Sequence, residues 1–468
     1  MSDSSADHPL SSSPTPLFSP SPTPPISPSV HHANRFSRNV AVTFGARILM
    51  IFNSVVAGVI VARWLGVEGL GELAVINVTI TTLVQLGSLG LPSANTYFIA
   101  KDQKYFRQAA VNSFLFAMFG GSLLAWGLAL TAQMRPTLFG LVAPELLYVA
   151  AISIPFQLLT LIGLNIFLAI GNVREFNLLD LLGQSFVLIN SVLALIVLQS
   201  GLNILVVFNT LSSILVSLLI LVLLVAAGRR LRSIVRTWTG DISLLGQMLR
   251  YGVKSHISIV AGALIFRADL LVVNHFRGTS EAGVYSLASQ MAMMLMLLPS
   301  VIATLLFPRV TAEQDRTGET TGIVTRHTAF IMLVCCSLAA PLSLLLPIVY
   351  GPGFSDSSLQ LMILLPGVFL IGLQSVIVQH FNAMGLPKAI PLFWVITLTV
   401  NLLLVFLLVP DFGARGAALA STVSYALISV LMISYFLRDT QRSLVEVVVL
   451  NASELKSMTA LFHWGASR

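Results

Sequence analysis

The chain has 468 residues, of which 56% are hydrophobic and only 10% are charged, and its mean hydropathy is +0.89. Soluble proteins carry about 25% charged residues, so this composition excludes a water-facing surface over most of the chain. The net charge of +7 does not indicate nucleic-acid binding, because that function needs basic residues clustered on a soluble face. The composition therefore predicts a polytopic membrane protein that binds no nucleic acid.

The first 38 residues are predicted to form a disordered tail in the cytoplasm. Residues 9–28 are mostly Ser, Pro and Thr and offer no apolar run that could form a core. The segment also lacks the basic start, apolar stretch and cleavage site of a secretory signal.

Twelve apolar stretches follow, each near the length of about 20 residues that a helix needs to cross a bilayer. They are Val40–Val61, Leu73–Pro92, Ala109–Thr131, Leu146–Ile170, Asn177–Leu198, Leu202–Ala227, Lys254–His275, Ala282–Phe307, Ala329–Tyr350, Leu359–Gln379, Pro391–Val409 and Ala414–Phe436. The predicted fold class is therefore an all-α integral membrane protein with twelve transmembrane helices.

The spacing of these stretches suggests two halves. We predict an N-terminal six-helix bundle at 39–227, a C-terminal six-helix bundle at 253–437 and a cytoplasmic C-terminal tail at 438–468. The connection at 228–252 contains Arg229, Arg230, Arg232 and Arg236 before an apolar–polar mixture, which predicts a basic amphipathic linker against anionic headgroups.

The basic residues predict the orientation of the chain. With the N-terminus placed inside, 20 of the 26 Lys and Arg residues lie on the inner side, and only Arg63, Arg135, Arg277 and Arg415 lie outside. Since cytoplasmic loops carry an excess of Lys and Arg, both termini are expected in the cytoplasm. The remaining two basic residues, Arg47 and Arg267, lie within spans.

Glycines recur at a nearly constant offset between the two halves. The matched pairs are Gly66 and Gly278, Gly71 and Gly283, and Gly201 and Gly413, all 212 residues apart, with Gly171 and Gly385 at 214. Because six spans is an even number, the two repeats would share one orientation. Transporters with this arrangement move two bundles about a shared site.

Several motifs combine these glycines with other residues. They are Ala62-Arg63-Trp-Leu-Gly66 with Gly71, Gln85-Leu-Gly87-Ser-Leu-Gly90-Leu-Pro92, Asp269 followed by Gly278, Gly283-Val-Tyr285-Ser, Phe307-Pro308 and Gly413-Ala-Arg-Gly416-Ala-Ala418. Over about Phe36–Leu437 the chain resembles the polysaccharide and O-antigen flippases of the Wzx type. These belong to the multidrug/oligosaccharidyl-lipid/polysaccharide exporter superfamily.

The resemblance implies a fold, a function and partners. It implies a V-shaped pair of bundles in the inner (plasma) membrane that moves a polyprenyl-diphosphate-linked oligosaccharide across the bilayer, by alternating access, for polysaccharide biosynthesis. The substrate lipid, the bilayer and polysaccharide polymerase or export machinery would be its partners. No enzymatic activity, cofactor or metal is expected.

Three alternatives are considered. A cation-coupled multidrug exporter of the same superfamily would favour acidic residues in its cavity, whereas the first six spans offer only Asp180. A lipid II flippase usually carries two further C-terminal spans. An integral-membrane glycan polymerase or ligase, a different class, would need a large external loop.

Charged residues inside spans are the candidate site residues, because an intramembrane charge costs at least ~2.5–3.5 kcal/mol at a helix centre. Arg267 lies in the middle of the seventh span, and a guanidinium binds phosphate bidentately. On a continuous helix, residues 11 and 7 positions apart face nearly the same direction. His256, Arg267 and Asn274 would then form one substrate-binding stripe. Arg47 is a further candidate ligand that could instead reach the interface.

Two acidic residues complete the set. Asp269 would lie about 200° around the helix from Arg267, so it is either an ion-coupling site or a structural partner of Arg47 or Arg267 on another helix. Asp180 is assigned to the first turn of the fifth span, where an acid suits the helix dipole.

Overall fold

The structure, a computed structural model, describes residues 30–230, 239–313, 315–385 and 387–450, and side-chain burial from residue 43 onward. Most of the predicted N-terminal tail (1–29), residues 231–238 of the predicted linker and residues 451–468 of the predicted C-terminal tail lie outside the described residues. Within the described ranges the chain forms helices and no strand.

Sixteen α-helices are found in the described ranges. They are α1 (Val30–Gly87), α2 (Leu91–Lys101), α3 (Phe106–Met134), α4 (Pro144–Ala151), α5 (Ile154–Ala169), α6 (Val173–Ser191), α7 (Leu202–Arg230), α8 (Ile242–Ile265), α9 (Ala268–Arg277), α10 (Thr279–Leu295), α11 (Leu297–Glu313), α12 (Glu319–Leu342), α13 (Leu346–Tyr350), α14 (Ser355–Ala383), α15 (Ala389–Thr440) and α16 (Leu444–Val448). A π-helix spans Val192–Val197, and 3-10 turns span Gln103–Tyr105, Pro136–Phe139, Ser343–Leu345 and Pro352–Phe354.

Ten helical stretches of the described chain are long and apolar enough to cross a membrane. Two of them, Thr43–Gly87 and Ala389–Thr440, have 45 and 52 residues, about twice the length that one crossing needs. Each is interrupted by a glycine with non-helical backbone angles, Gly66 at φ 68° and Gly413 at φ 57°. Divided at these glycines, the ten stretches give the twelve predicted spans, numbered 1 to 12 in chain order.

Three predicted boundaries shift in the structure. Helix α1 begins at Val30, a few residues before the predicted start near Arg35. Residues 242–251, assigned to the linker, are the first turns of α8, where the Asp241 carboxylate accepts a hydrogen bond from the Leu244 N–H at 3.0 Å. Such side-chain caps satisfy N–H groups that have no partner within the helix, so α8 starts before span 7.

The backbone reproduces the glycine repeat at two of the offsets. Gly66 and Gly278 both have positive φ, 68° and 86°, and so do Gly171 and Gly385, 78° and 99°. These angles are accessible to glycine at little cost. The third pair differs, because Gly413 has a positive φ but Gly201 does not, and Gln199 takes that role two residues earlier.

Gly71 and Gly283 bring the two halves into backbone contact. A Cβ atom built on Gly71 would lie 1.9 Å from the carbonyl oxygen of Thr279, and one built on Gly283 would lie 2.0 Å from that of Val67. The contact is reciprocal, as expected of two repeats that meet at equivalent positions. We call this end of the molecule the Gly71 end.

A second glycine contact joins the halves at the opposite ends of spans 2 and 7. A Cβ atom on Gly90 would lie 2.2 Å from the carbonyl oxygen of Gly252. Beside it, the rings of Tyr97 and Tyr251 stack with centroids 4.5 Å apart. We call this the Gly90 end, and the two halves therefore touch at both ends.

The Gly71 contact predicts that a single methyl group is not tolerated there. Gly71→Ala should lower the free energy of unfolding by about 1–3 kcal/mol, because the clash is with backbone that cannot rotate away. Gly127→Ala in α3 is the matched control, since no atom lies within 4 Å of its added Cβ, and it should gain about 0.5–1 kcal/mol. The measurement is unfolding of the purified protein in detergent, and equal stability of Gly71→Ala and wild type would contradict the contact.

Candidate functional site

Arg267 lies at a break in the seventh span. Helix α8 ends at Ile265 and α9 begins at Ala268, with Arg267 between them at φ −138° and ψ −27°. The single helical stripe predicted for His256, Arg267 and Asn274 is therefore wrong, because that prediction assumed a continuous helix across all three residues. In membrane proteins, broken helices are tolerated where they line a cavity or are buried in protein.

The break concentrates positive potential around Arg267. This residue is the N-cap of α9, so its guanidinium is attached where the helix dipole is already positive. A cation at this position is unfavourable unless an anion lies nearby. The Asp269 carboxylate supplies part of that charge in the first turn of α9 and accepts the Leu270 N–H at 2.8 Å.

A cavity of about 650 Å³ lies beside this break. It is lined by spans 1, 2, 4, 5 and 6 on one side and by spans 7 and 8 on the other. The Gln290 amide on span 8 donates a hydrogen bond to the Ser54 hydroxyl on span 1 at 2.8 Å, which links the two sides. The cavity thus lies between the halves, with glycine contacts beyond it in both directions.

The lining of the cavity is polar but mostly uncharged. Its N-terminal side carries Ser and Thr hydroxyls and the amides of Asn77, Gln157, Gln184, Asn190 and Asn209. Arg267 and Asp269 are the charged side chains among the lining residues that the structure describes. Sequence reasoning did not identify these amides, although span 5 places Gly183, Gln184, Asn190 and Ser191 at helical spacing in an otherwise apolar segment.

Arg267 is the accessible charge of the cavity. Its side chain is exposed although it lies 11 residues from the start of a 22-residue span. Within the described part of the chain it makes no hydrogen bond or ion pair. An uncompensated guanidinium in this position is available to an anion that enters the cavity.

Asp269, in contrast, is fully engaged by the protein. It is 1% exposed and accepts hydrogen bonds from the Tyr285 hydroxyl and, at 2.7 Å, from the Ser421 hydroxyl, besides the Leu270 N–H. The predicted pairing of Asp269 with Arg47 or Arg267 is wrong, because its neighbours are two hydroxyls. The cluster ties spans 7, 8 and 12 together.

Arg47 has a different partner, which also corrects the interpretation of Asp180. The Arg47 guanidinium lies 3.1 Å from the Asp180 carboxylate and joins span 1 to span 5. Asp180 is not in the first turn of its helix, because α6 begins at Val173 and its first-turn acid is Glu175. Arg47 lies outside the cavity lining.

His256 and Asn274 lie at opposite ends of span 7, outside the cavity lining. The His256 imidazole Nε2 lies 3.2 Å from the Leu86 carbonyl oxygen, in the contact at the Gly90 end. Asn274 is 1% exposed, packs against Gly140, and its amide atoms have no hydrogen-bond partner in the described structure. Arg267 is therefore the one residue of the predicted stripe that lines the cavity.

Twelve apolar spans around a polar internal cavity define a multi-pass membrane protein of transporter type. Residues 36–314 match the family described as "Polysaccharide biosynthesis protein". The chain belongs to this family.

Two curated relatives from Haloferax volcanii are similar to parts of the chain. "Probable flippase AglR" is 29% identical over 177 residues, which are 35% of this chain and 36% of the relative. "Probable low-salt glycan biosynthesis flippase Agl15" is 25% identical over 194 residues, which are 40% of this chain and 41% of the relative. The chain thus spans about two fifths of the length of the curated relatives it matches.

A solved structure described as "Lipid II flippase MurJ, inward closed conformation" shares the fold. Its TM-score is 0.67 at 19% identity, covering 86% of this chain and 90% of that chain. At this identity the likeness shows the fold alone. It confirms the predicted fold class, two six-helix bundles in the V-shaped exporter arrangement.

The hydrogen bonds around Asp269 predict a structural loss when it is truncated. Asp269→Ala should lower the free energy of unfolding by roughly 3 kcal/mol, because the Tyr285 and Ser421 hydroxyls would lose a charged acceptor in a buried site. Asp356→Ala is the control, since that carboxylate is 64% exposed in a surface pair with Arg415 and should change stability by less than about 1 kcal/mol. Thermal unfolding in detergent measures both. Unchanged stability of Asp269→Ala with loss of gradient-driven transport would instead identify an ion-coupling site.

Proposed function

We propose that this protein is a flippase that moves a polyprenyl-diphosphate-linked oligosaccharide across the plasma membrane for polysaccharide biosynthesis. The observation that carries the proposal is the exposed, unpaired Arg267 guanidinium in a polar cavity at the middle of the membrane spans. The family and the names of the two relatives support the same conclusion.

The chemistry of the cavity fits the head of such a lipid. Arg267 would bind the diphosphate bidentately, next to the N-terminus of α9, where a half-helix dipole favours an anion. The uncharged amides and hydroxyls opposite would face the sugars. The prenyl chain would stay in the lipid outside the cavity, because it gains nothing by leaving hydrocarbon.

The sign of the accessible charge separates this function from drug export. Multidrug exporters share the fold, and a cavity for cationic drugs would present carboxylates. Here the carboxylate of Asp269 is occupied by Tyr285, Ser421 and Leu270, whereas the guanidinium of Arg267 is free of described protein partners. This arrangement favours an anionic cargo.

Transport by alternating access would require the two ends to open in turn. The backbone contact of Gly71 with Thr279 would separate to release cargo, and the contact of Gly90 with Gly252 would separate to admit it. Opening the Gly90 end would also break the bond between His256 and the Leu86 carbonyl. We propose that His256 contacts the cargo at that stage.

The other predicted ligands are assigned by their positions. Arg47 would reach the cargo only if its ion pair with Asp180 opens, so we assign it chiefly to holding spans 1 and 5 together. Asn274 carries a buried amide without a described partner near Gly140, and we propose that it meets the cargo as the Gly71 end opens. No step in this cycle makes or breaks a covalent bond, so the proposed function is non-catalytic.

The distribution of Lys and Arg supports the orientation. With 20 basic residues on the side of the Gly90 end and four on the other, we infer that the Gly90 end and both termini lie in the cytoplasm. Outward movement of a diphosphate then runs with an inside-negative potential, which is worth ~2.3 kcal/mol per charge at 100 mV. Released cargo would pass to polysaccharide polymerase or export machinery on the far side.

Deletion of the gene tests both the function and its direction. Cells without the protein should accumulate a polyprenyl-diphosphate-linked oligosaccharide on the inner leaflet, where periodate added outside spheroplasts does not oxidise its sugars. Wild-type complementation should make the same lipid sensitive to periodate. Mass spectrometry of the extracted lipids measures the accumulation. An unchanged lipid pool in the deletion strain, or a pool that is fully oxidised from outside, would contradict the proposal.

A further inference from the structure

The two repeats share one amide–hydroxyl pair. In the N-terminal half the Asn190 amide donates to the Ser212 hydroxyl at 3.0 Å, and in the C-terminal half the Asn401 amide donates to the Ser424 hydroxyl at 3.1 Å. The asparagines are 211 positions apart and the serines 212, which matches the glycine offset. The same contact therefore joins the last two spans of each half.

The surroundings of this pair differ between the halves. In the C-terminal half Ser421 binds the buried carboxylate of Asp269, and Asn401 and Ser424 are fully buried. At the position 212 residues before Ser421 the N-terminal half carries Asn209, which lines the cavity. One half thus has a closed polar core where the other opens a polar surface to the cavity.

The position equivalent to Asp269 shows why this space is open. It is occupied by Ala57, and the position equivalent to Tyr285 is occupied by Leu73, each 212 residues earlier. Both Ala57 and Leu73 line the cavity. The N-terminal half has lost the carboxylate and phenol that fill the C-terminal half, and its amides face the vacated volume.

Hydrogen-bond accounting leaves donors free on this surface. Asn190, 5% exposed, donates through Nδ2 to the Asn209 carbonyl oxygen at 2.9 Å and to Ser212. This contact fixes the orientation of the Asn209 amide, and its two N–H groups have no partner in the described part of the chain. The side chains of Gln184 and Asn77 line the cavity and likewise make no hydrogen bond there.

A local distortion follows the cluster along span 5. The π-helix Val192–Val197 begins immediately after Ser191, which is 1% exposed. Single-turn π-helices are rare and occur frequently at functional sites. The polar stripe of α6 ends where the helix geometry changes, so the distortion marks the boundary of the polar surface.

We propose that Asn190, Asn209, Ser212, Gln184 and Asn77 form a sugar subsite that selects the glycan, separate from the diphosphate subsite at Arg267. The assignment rests on the proposed flippase function. Amides offer both donors and acceptors and can pair with neighbouring sugar hydroxyls without adding charge. A site built to bind a hydroxyl rejects an analogue that lacks it, because its own polar groups are then left unpaired. Asn190 acts as a positioning residue, and Asn209 and Gln184 contact the sugar.

The test compares two lipids in binding to the full-length protein in nanodiscs. The first is the polyprenyl-diphosphate-linked glycan extracted from cells lacking the gene, and the second is sugar-free polyprenyl diphosphate. Asn209→Ala and Gln184→Ala should each raise the Kd for the glycan-linked lipid about tenfold, the loss of one good hydrogen bond. Neither should change the Kd for the sugar-free lipid. Gln184→Ala breaks no described protein hydrogen bond, so it guards against a folding defect.

Asn401→Ala is the matched control, because it removes the equivalent amide–hydroxyl pair outside the cavity lining. It should leave the ratio of the two Kd values as in wild type. If Asn209→Ala and Gln184→Ala also leave that ratio unchanged while wild type binds both lipids, the sugar subsite is wrong and the flippase function stands. If wild type binds neither lipid, the proposed function itself is overturned.

Discussion

The cost of a charge in hydrocarbon governs this structure. A guanidinium halfway along a membrane span is tolerated only where water, protein or cargo replaces its hydration. Around Arg267 the chain provides a polar cavity, a broken helix and no described counterion. The apolar exteriors of the twelve spans and the polar interface of the halves follow from the same requirement, since polar groups must face inward when lipid surrounds the protein.

The two halves share a frame but divide the chemistry. Glycines at equivalent positions allow backbone contact at the Gly71 end, where any larger side chain would hold the halves apart. Within this frame the C-terminal half closes its polar residues around Asp269, which makes it a rigid support for Arg267. The N-terminal half keeps its amides open to the cavity. An asymmetric cavity between symmetric supports can bind one lipid head and still change shape at either end.

Much of the fold could be predicted from the sequence, because hydrophobic length reports membrane spans directly. The glycine repeat also predicted the paired turns at Gly66 and Gly278, since backbone angles of this kind require glycine. The position of Arg267 in the cavity followed from its charge alone. In these features the local residue type determines the structure.

The remaining features depend on contacts that are distant in sequence. The break beside Arg267 contains neither glycine nor proline at Phe266 and Arg267, so no local signal separated His256 and Asn274 from the site. The pairing of Arg47 with Asp180 joins residues 133 positions apart, and periodicity within one helix cannot reveal it. The amides opposite Arg267 became a surface only when the halves were placed together.

The central claim is that Arg267 carries the diphosphate through the membrane. Its most direct test is the translocation rate of the polyprenyl-diphosphate-linked glycan in proteoliposomes, measured by the fraction of lipid open to added periodate over time. Arg267→Gln should slow translocation at least about tenfold, since a charge-assisted hydrogen bond contributes ~1.5–3 kcal/mol. Arg415→Gln, which removes an exposed arginine paired with Asp356, should translocate at the wild-type rate. Equal rates for Arg267→Gln and wild type would contradict the account.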